Sequence, residues 1–152
     1  MNKLAYGKVD EFDSNVTGTK GLILFSKSLD VAVYRRDNDT DKAPSLIDVA
    51  GGGIRPGESP FVNFSREAKE EFGLDISRDM IVYARSYVGI QNPKNLTWFL
   101  GAVVPEELKA LTKLGNEGTE LIIEPYAEYL QREDAWDVFQ NRSCEFIDFI
   151  LT

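Results

Sequence analysis

The sequence predicts an α+β fold, a mixed β-sheet with helices on its faces, carried by residues 1–152 as a single domain. Three observations lead there. Apolar runs at 21–25 and 31–36 flank Ser28-Leu29-Asp30, a link too short for anything but an antiparallel hairpin. In residues 60–72, Phe61, Phe64, Ala68 and Phe72 recur at three- and four-residue steps, forming one apolar stripe of a helix that must pack on a sheet. Further strand-like runs at 80–88 and 96–104 then precede a C-terminal helical pattern.

Taken in order, residues 4–9 read as a weak first strand and 10–19 as a polar, turn-rich stretch. The hairpin follows. Residues 37–44, DNDTDKAP, form a solvated loop, since their aspartates lack the glycine and terminal glutamate of an EF-hand. A short strand at 45–50 runs into Gly51-Gly52-Gly53, whose backbone is left open to a ligand. Arg55-Pro56-Gly57 turns the chain, Ser59 suits an N-cap, and Pro60 suits the first helical position. Gly73 fits the left-handed residue after the helix, with Leu74 making the hydrophobic contact beyond it. After the strand at 80–88 come a loop at 89–95, the strand at 96–104, a short helix at 105–111 and a loop at 112–119. A strand at 121–124, a helical turn at 125–130 and a last helix over about 133–150 complete the chain. That helix carries Trp136, Phe139, Ser143, Phe146, Ile147 and Ile150 on one side, as core packing does. Strand aromatics Tyr34, Tyr83, Tyr87, Trp98 and Phe99 are likewise expected in the core, although such rings can stack a base.

Composition removes several kinds of chemistry. The chain has no histidine and a single cysteine, Cys144, which excludes imidazole bases, Ser-His-Asp and Cys-His catalysis, and zinc sites built on imidazole or several thiolates. Cys144 sits in an apolar pattern and reads as a small buried hydrophobe. A net charge of −8 speaks against polymeric nucleic acid as a partner. No apolar run approaches the roughly 20 residues of a membrane span, and residues 1–7 lack the apolar core of a secretory signal. A cytoplasmic location is the expectation.

Within the helix at 60–72, Glu67, Glu70 and Glu71 share one face. Spacing alone admits two readings: a solvated acidic surface, or a site for a hard cation such as Mg²⁺, Mn²⁺ or Ca²⁺. The glutamates border the apolar stripe instead of opposing it, which favours the second.

The segment 52–74, GGIRPGESPFVNFSREAKEEFGL, reads as Gly, five residues, Glu, seven residues, Arg-Glu-x-x-Glu-Glu-x-Gly-Leu. It resembles the signature of the Nudix hydrolase family, with Gly52, Glu58, Arg66, Glu67, Glu70, Glu71, Gly73 and Leu74 at its fixed positions. Ala68 departs from the pattern, where a larger aliphatic residue is preferred. The resemblance implies an α/β/α sandwich with a mixed sheet and a loop-helix-loop motif, and hydrolysis of a nucleoside diphosphate linked to another moiety. It implies Mg²⁺, with Mn²⁺ as a substitute, on Glu67, Glu70 and Glu71 with help from the Gly51 carbonyl. Glu58 and Arg66 would brace the loop and helix, the arginine orienting its neighbouring glutamate. The further base such enzymes need would come from Glu117 in a mobile loop, from Glu120, or from Glu70 itself. Arg35 and Arg36 are candidates for a terminal phosphate. The expected partner is a small nucleoside diphosphate derivative: a nucleotide sugar, an ADP-ribose-like molecule or a nucleoside triphosphate. Homodimerisation is left open. Two other classes remain for comparison: a non-catalytic ligand sensor on the same fold, and an isoprenoid diphosphate isomerase. The first usually loses signature glutamates, all of which are present; the second relies on histidine-bound metal, which this chain cannot supply.

Overall fold

The computed structural model describes residues 7–89 and 92–152. Among them, strands β1 Val16–Phe25, β2 Asp30–Arg35, β3 Ile47–Asp48, β4 Ala50–Gly53, β5 Ile81–Val88, β6 Leu96–Val104 and β7 Glu120–Pro125 form one mixed sheet. Helices α1 Pro60–Phe72, α2 Tyr126–Leu130 and α3 Asp137–Leu151 accompany it.

β1 organises the sheet. One edge runs parallel to β6, from Gly18 beside Thr97 to Phe25 beside Val104. Its other edge is divided: Gly18–Gly21 pairs antiparallel with β4, and Ile23 and Leu24 pair with β2. β2 is divided in the same way between β1 and β3, and lies along β7 on its far edge. β5 closes the other side against β6. Only Val49 separates β3 from β4, so the chain passes there from β2 to β1 and sets Asp48 at the crossing.

Alternation along β1 divides the core into two layers. Ile23 and Phe25 pack with Phe64, Ala68 and Phe72 of α1. Leu22 and Leu24 pack with Tyr129 of α2 and Phe146 and Ile147 of α3. The result is an α/β/α sandwich. Phe64 and Phe72 are fully buried, each contributing on the order of 1.5–3 kcal/mol, and they hold α1 against the sheet. α1 has the ends its sequence predicts: Ser59 Oγ accepts from the Val62 N–H at 3.2 Å, and Gly73 adopts φ 70° with its N–H on the Lys69 carbonyl. Leu74 is buried just beyond.

Several boundaries differ from the sequence reading, for reasons of pairing. Of the strand expected at 4–9, residues 4–6 lie outside the described residues, and Gly7–Asp10 is a 3-10 turn that buries Val9 in the α1-side core. β1 begins at Val16, not 21, because β4 and β6 supply hydrogen-bonding partners for its polar half. The three glycines are themselves strand. α3 starts later than expected because the residues before it run along β3: the Ile47 N–H donates to the Asp134 carbonyl and the Trp136 N–H to the Ile47 carbonyl, both at 2.9 Å. Residues 106–111 form a 3-10 helix. In the loop at 89–95, residues 90 and 91 lie outside the described residues. Tyr34, Tyr83, Trp98 and Phe99 are core residues, whereas Trp136 and Phe139 are only half-buried. Cys144 is exposed, on the side of α3 away from the sheet. No helix among the described residues is long and apolar enough to cross a membrane.

Candidate active site

β4, the turn after it and α1 bring the acidic residues together through one arginine. Arg66 grips Glu58 with two hydrogen bonds, Nε to Oε2 at 2.7 Å and Nη2 to Oε1 at 3.1 Å. The Arg55 N–H and the Asn63 amide also donate to Glu58, and these partners hold its carboxyl well down, at about 2. The remaining Nη1 of Arg66 reaches Glu67 at 3.1 Å and Glu70 at 3.2 Å. Glu58 therefore pins the guanidinium, and the guanidinium spans the two glutamates.

Glu67 lies flat against Gly52. A Cβ added there would stand 2.6 Å from its Oε1, so the backbone must be glycine for the carboxylate to approach this closely. Glu71 is almost wholly buried; it accepts the Gly51 N–H at 2.8 Å and the Tyr34 hydroxyl at 3.3 Å. Burial dominates its titration and pushes its carboxyl up to about 8, against the pull of Lys20 and the Gly51 N–H. Glu67 is also raised, by burial first, and Glu70 is half exposed. With Glu117 these side chains line a polar cleft of about 340 Å³ whose walls also include Lys20, Tyr34, Arg36 and residues 51–53.

The donor chemistry of that cleft fits a hard divalent cation. It offers carboxylate oxygens, and burial raises the pKa of two of its glutamates, Glu67 and Glu71, disfavouring their charged forms. Among the described residues no three acidic side chains are already drawn together tightly enough to hold a metal ion. Glu67 and Glu70 are turned to Arg66 and would have to rotate from it to take up such a ligand.

The structure sorts the other residues singled out in the sequence. Glu117 is on the cleft; Glu120 is not, its carboxylate bonded to Arg35 Nε at 3.0 Å on the exposed side of β7. Arg35 is further tied to Asp134 at 3.0 Å and to the Ser45 carbonyl, away from the cleft. Arg36, one residue on, points into it. The loop carrying Glu117, expected to be mobile, is moored at several points. The Gly115 N–H donates to the Glu71 carbonyl at 2.9 Å, the Gly118 N–H to Asp37 at 3.3 Å, and the Thr119 N–H to the Arg35 carbonyl at 3.0 Å.

No protein-family model matches the chain, and no curated protein matches it in sequence. Solved structures do match. A mutT/nudix family protein from Listeria innocua aligns over 93% of this chain and 99% of its own, with a TM-score of 0.65 at 19% identity. The NUDIX domain of Shewanella oneidensis NrtR, complexed with ADP ribose, aligns over 100% of both chains with a TM-score of 0.64 at 16% identity. A C. elegans Ap4A hydrolase, in a binary complex, aligns over 88% of this chain and 98% of its own, with a TM-score of 0.63 at 14% identity. The chain has the Nudix fold.

Within its Nudix fold, the site also uses residues that lie outside the signature or are unmarked in it. Asn63, fully buried, accepts from Thr19 Oγ1 of β1 at 2.6 Å and donates to the Gly53 carbonyl at 2.7 Å, tying α1 to both strands beneath it. Asn63 precedes Glu67 by one helical turn and Glu70 by two, and that spacing is the signal by which it is found. Asp48, with no exposed side-chain surface, takes Lys20 at 2.6 Å and Arg36 at 2.9 Å on a single oxygen. Nothing in the local sequence joins those three, which meet only where β3 crosses to β4.

Proposed function

We propose that the chain is a Mg²⁺-dependent pyrophosphohydrolase that cleaves the diphosphate linkage of a nucleoside diphosphate joined to another moiety. The observation that carries this is the gathering of Glu67, Glu70, Glu71 and Glu117 around one polar cleft, against a strand of glycines, with Lys20 and Arg36 on its wall. Glu67, Glu70 and Glu71, with the Gly51 carbonyl, would hold the ion, and Mn²⁺ suits the same oxygens. Such an ion, when bound, supplies charge neutralisation on the diphosphate oxygens and a more acidic water. The chain's own residues do the rest. Arg66, fixed by Glu58, positions Glu67 and Glu70. Lys20 and Arg36 balance phosphate charge at the cleft wall. Glu117 takes the proton of the attacking water as its oxygen bonds to phosphorus, the anhydride P–O bond breaks, and the electron pair leaves with the departing phosphate.

A screen of phosphate and nucleotide release tests this, run over nucleoside triphosphates, ADP-ribose, nucleotide sugars, dinucleoside polyphosphates and coenzyme A with Mg²⁺ or Mn²⁺. Turnover of at least one is expected, with at least a 100-fold loss, roughly the worth of general base catalysis, in Glu117→Gln and little change in ligand binding. Full activity in Glu70→Gln and Glu71→Gln would overturn the assignment of the ligands. The second reading is a non-catalytic nucleotide sensor on the same fold, for which a similar domain complexed with ADP ribose supports nucleotide binding as such. Tight nucleotide binding without turnover of any substrate would establish it.

A further inference from the structure

Trp136 and Phe139 stand where the acidic cleft continues into a second one, of about 370 Å³, over residues 17–20 of β1. The two clefts share Lys20, Arg36, Gly52 and Gly53 as a common wall. The rings meet edge to face, with centroids 4.9 Å apart at 73°. The Arg36 guanidinium lies 5.3 Å from the Trp136 centroid, and Lys20 Nζ lies 5.8 Å from Trp136 and 5.5 Å from Phe139. Both cations pair with Asp48, and Arg36 also donates to the Lys42 carbonyl at 3.2 Å. The second cleft itself is lined by Lys20, Arg36 and Lys42 and by no carboxylate, so its own walls are positive.

Phe139 packs on the rim of the α3-side core, and Trp136 lies outside it. Tyr129, Phe146 and Ile147 close the α3 layer, while Trp136 and Phe139 stay half open to solvent. An aromatic wall beside positive charge selects a ligand that has both a π-face and an anionic group. Inorganic diphosphate and sugar phosphates lack the first, and apolar ligands lack the second. A nucleotide has both, in the order the two clefts present them.

We infer that this second cleft is the base subsite. The nucleobase stacks on the Trp136–Phe139 wall, the phosphate attached to its ribose lies beside Lys20 and Arg36, and the rest of the diphosphate reaches the acidic cleft. This rests on the reading of the acidic cleft as a diphosphate site, and it makes Trp136 and Phe139 the specificity residues of that site.

The test compares AMP with ribose 5-phosphate, which differ only in the base. The chain has two tryptophans, and Trp98 is buried, so a ligand in the second cleft changes the fluorescence of Trp136. AMP should quench it and ribose 5-phosphate should not. By calorimetry, Trp136→Leu and Phe139→Leu, which keep apolar bulk without the π-face, should weaken AMP binding about 10- to 100-fold and leave ribose 5-phosphate unchanged, as loss of a base–aromatic stack does. Thermal melts identify any variant that fails to fold, and the quench in the unaltered chain then decides. Equal binding of the two ligands, or AMP affinity unaffected in a folded variant, overturns the inference. If the chain hydrolyses nothing yet binds AMP on Trp136, the subsite stands and the hydrolase reading falls. If it hydrolyses nucleoside diphosphate derivatives with an unchanged KM in both variants, the reverse holds.

Discussion

Asp48 is the residue on which the cationic wall of the site depends. It has no exposed side-chain surface and serves two cations that are themselves mostly buried. Removing one member of such a group leaves uncompensated charge in the interior, at a cost of about 3–5 kcal/mol. Asp48→Ala should lower stability by that amount in urea unfolding, whereas Glu120→Ala, which removes a half-exposed partner of Arg35, should cost less than about 1 kcal/mol. Equal losses in the two variants would remove Asp48 from the centre of the site. Single residues were legible in the sequence where their partners were close in it. Glu58, Arg66, Glu67, Glu70 and Glu71 fall within one turn-and-helix segment, where spacing determines which side chains meet. Lys20 and Asp48 come from separate strands, and the side of the sheet on which Arg35 or Arg36 emerges depends on where β2 ends. No short-range pattern records either.

At the scale of the element, the loop before α1 is held by the Glu58–Arg66 pair as well as by the helix cap. Glu58 has its carboxyl depressed to about 2 in the fold from an ordinary 4.5, with the Arg66 hydrogen bond as the largest cause. A depressed carboxylate stabilises the fold above its unfolded value and stops doing so as pH falls toward its folded one. The difference in urea midpoint between the unaltered chain and Glu58→Gln should be constant from about pH 7 to about 5. It should then shrink between about pH 4.5 and about 2. A gap that stays the same down to about pH 3 would mean that Glu58 does not act through its charge. α1 itself was fully legible, because the Ser59 cap, Pro60, the apolar stripe and Gly73 are all local signals. The start of β1 was not, since Thr17, Gly18 and Thr19 are strand only because β4 and β6 lie beside them.

For the whole molecule, the cation site proposed in the acidic cleft would tie stability to divalent cations. Burial disfavours the charged forms of Glu67 and Glu71, which a bound cation would relieve, and a ligand of the folded state alone stabilises it by mass action. Mg²⁺ at about 100 times its Kd should raise Tm by about 5–10 °C, and a chelator should reverse the shift. A Tm indifferent to Mg²⁺ and Mn²⁺ alike would argue against a cation in the cleft.

The divided edges of β1 and β2 also bear on how the protein is made. β1 is completed only by β6, and β2 only by β7, although both strands leave the ribosome well before those partners. The helix with the signature glutamates emerges after β4 and before β5, β6 and β7, with that part of its supporting sheet still unsynthesised. Contacts so distant along the chain close slowly. The early hairpin therefore spends much of translation with open strand edges, the state in which chains pair with one another. The nascent chain is most exposed to aggregation before residue 125 has cleared the tunnel, and a stalled or truncated product ending short of β7 inherits that hazard permanently.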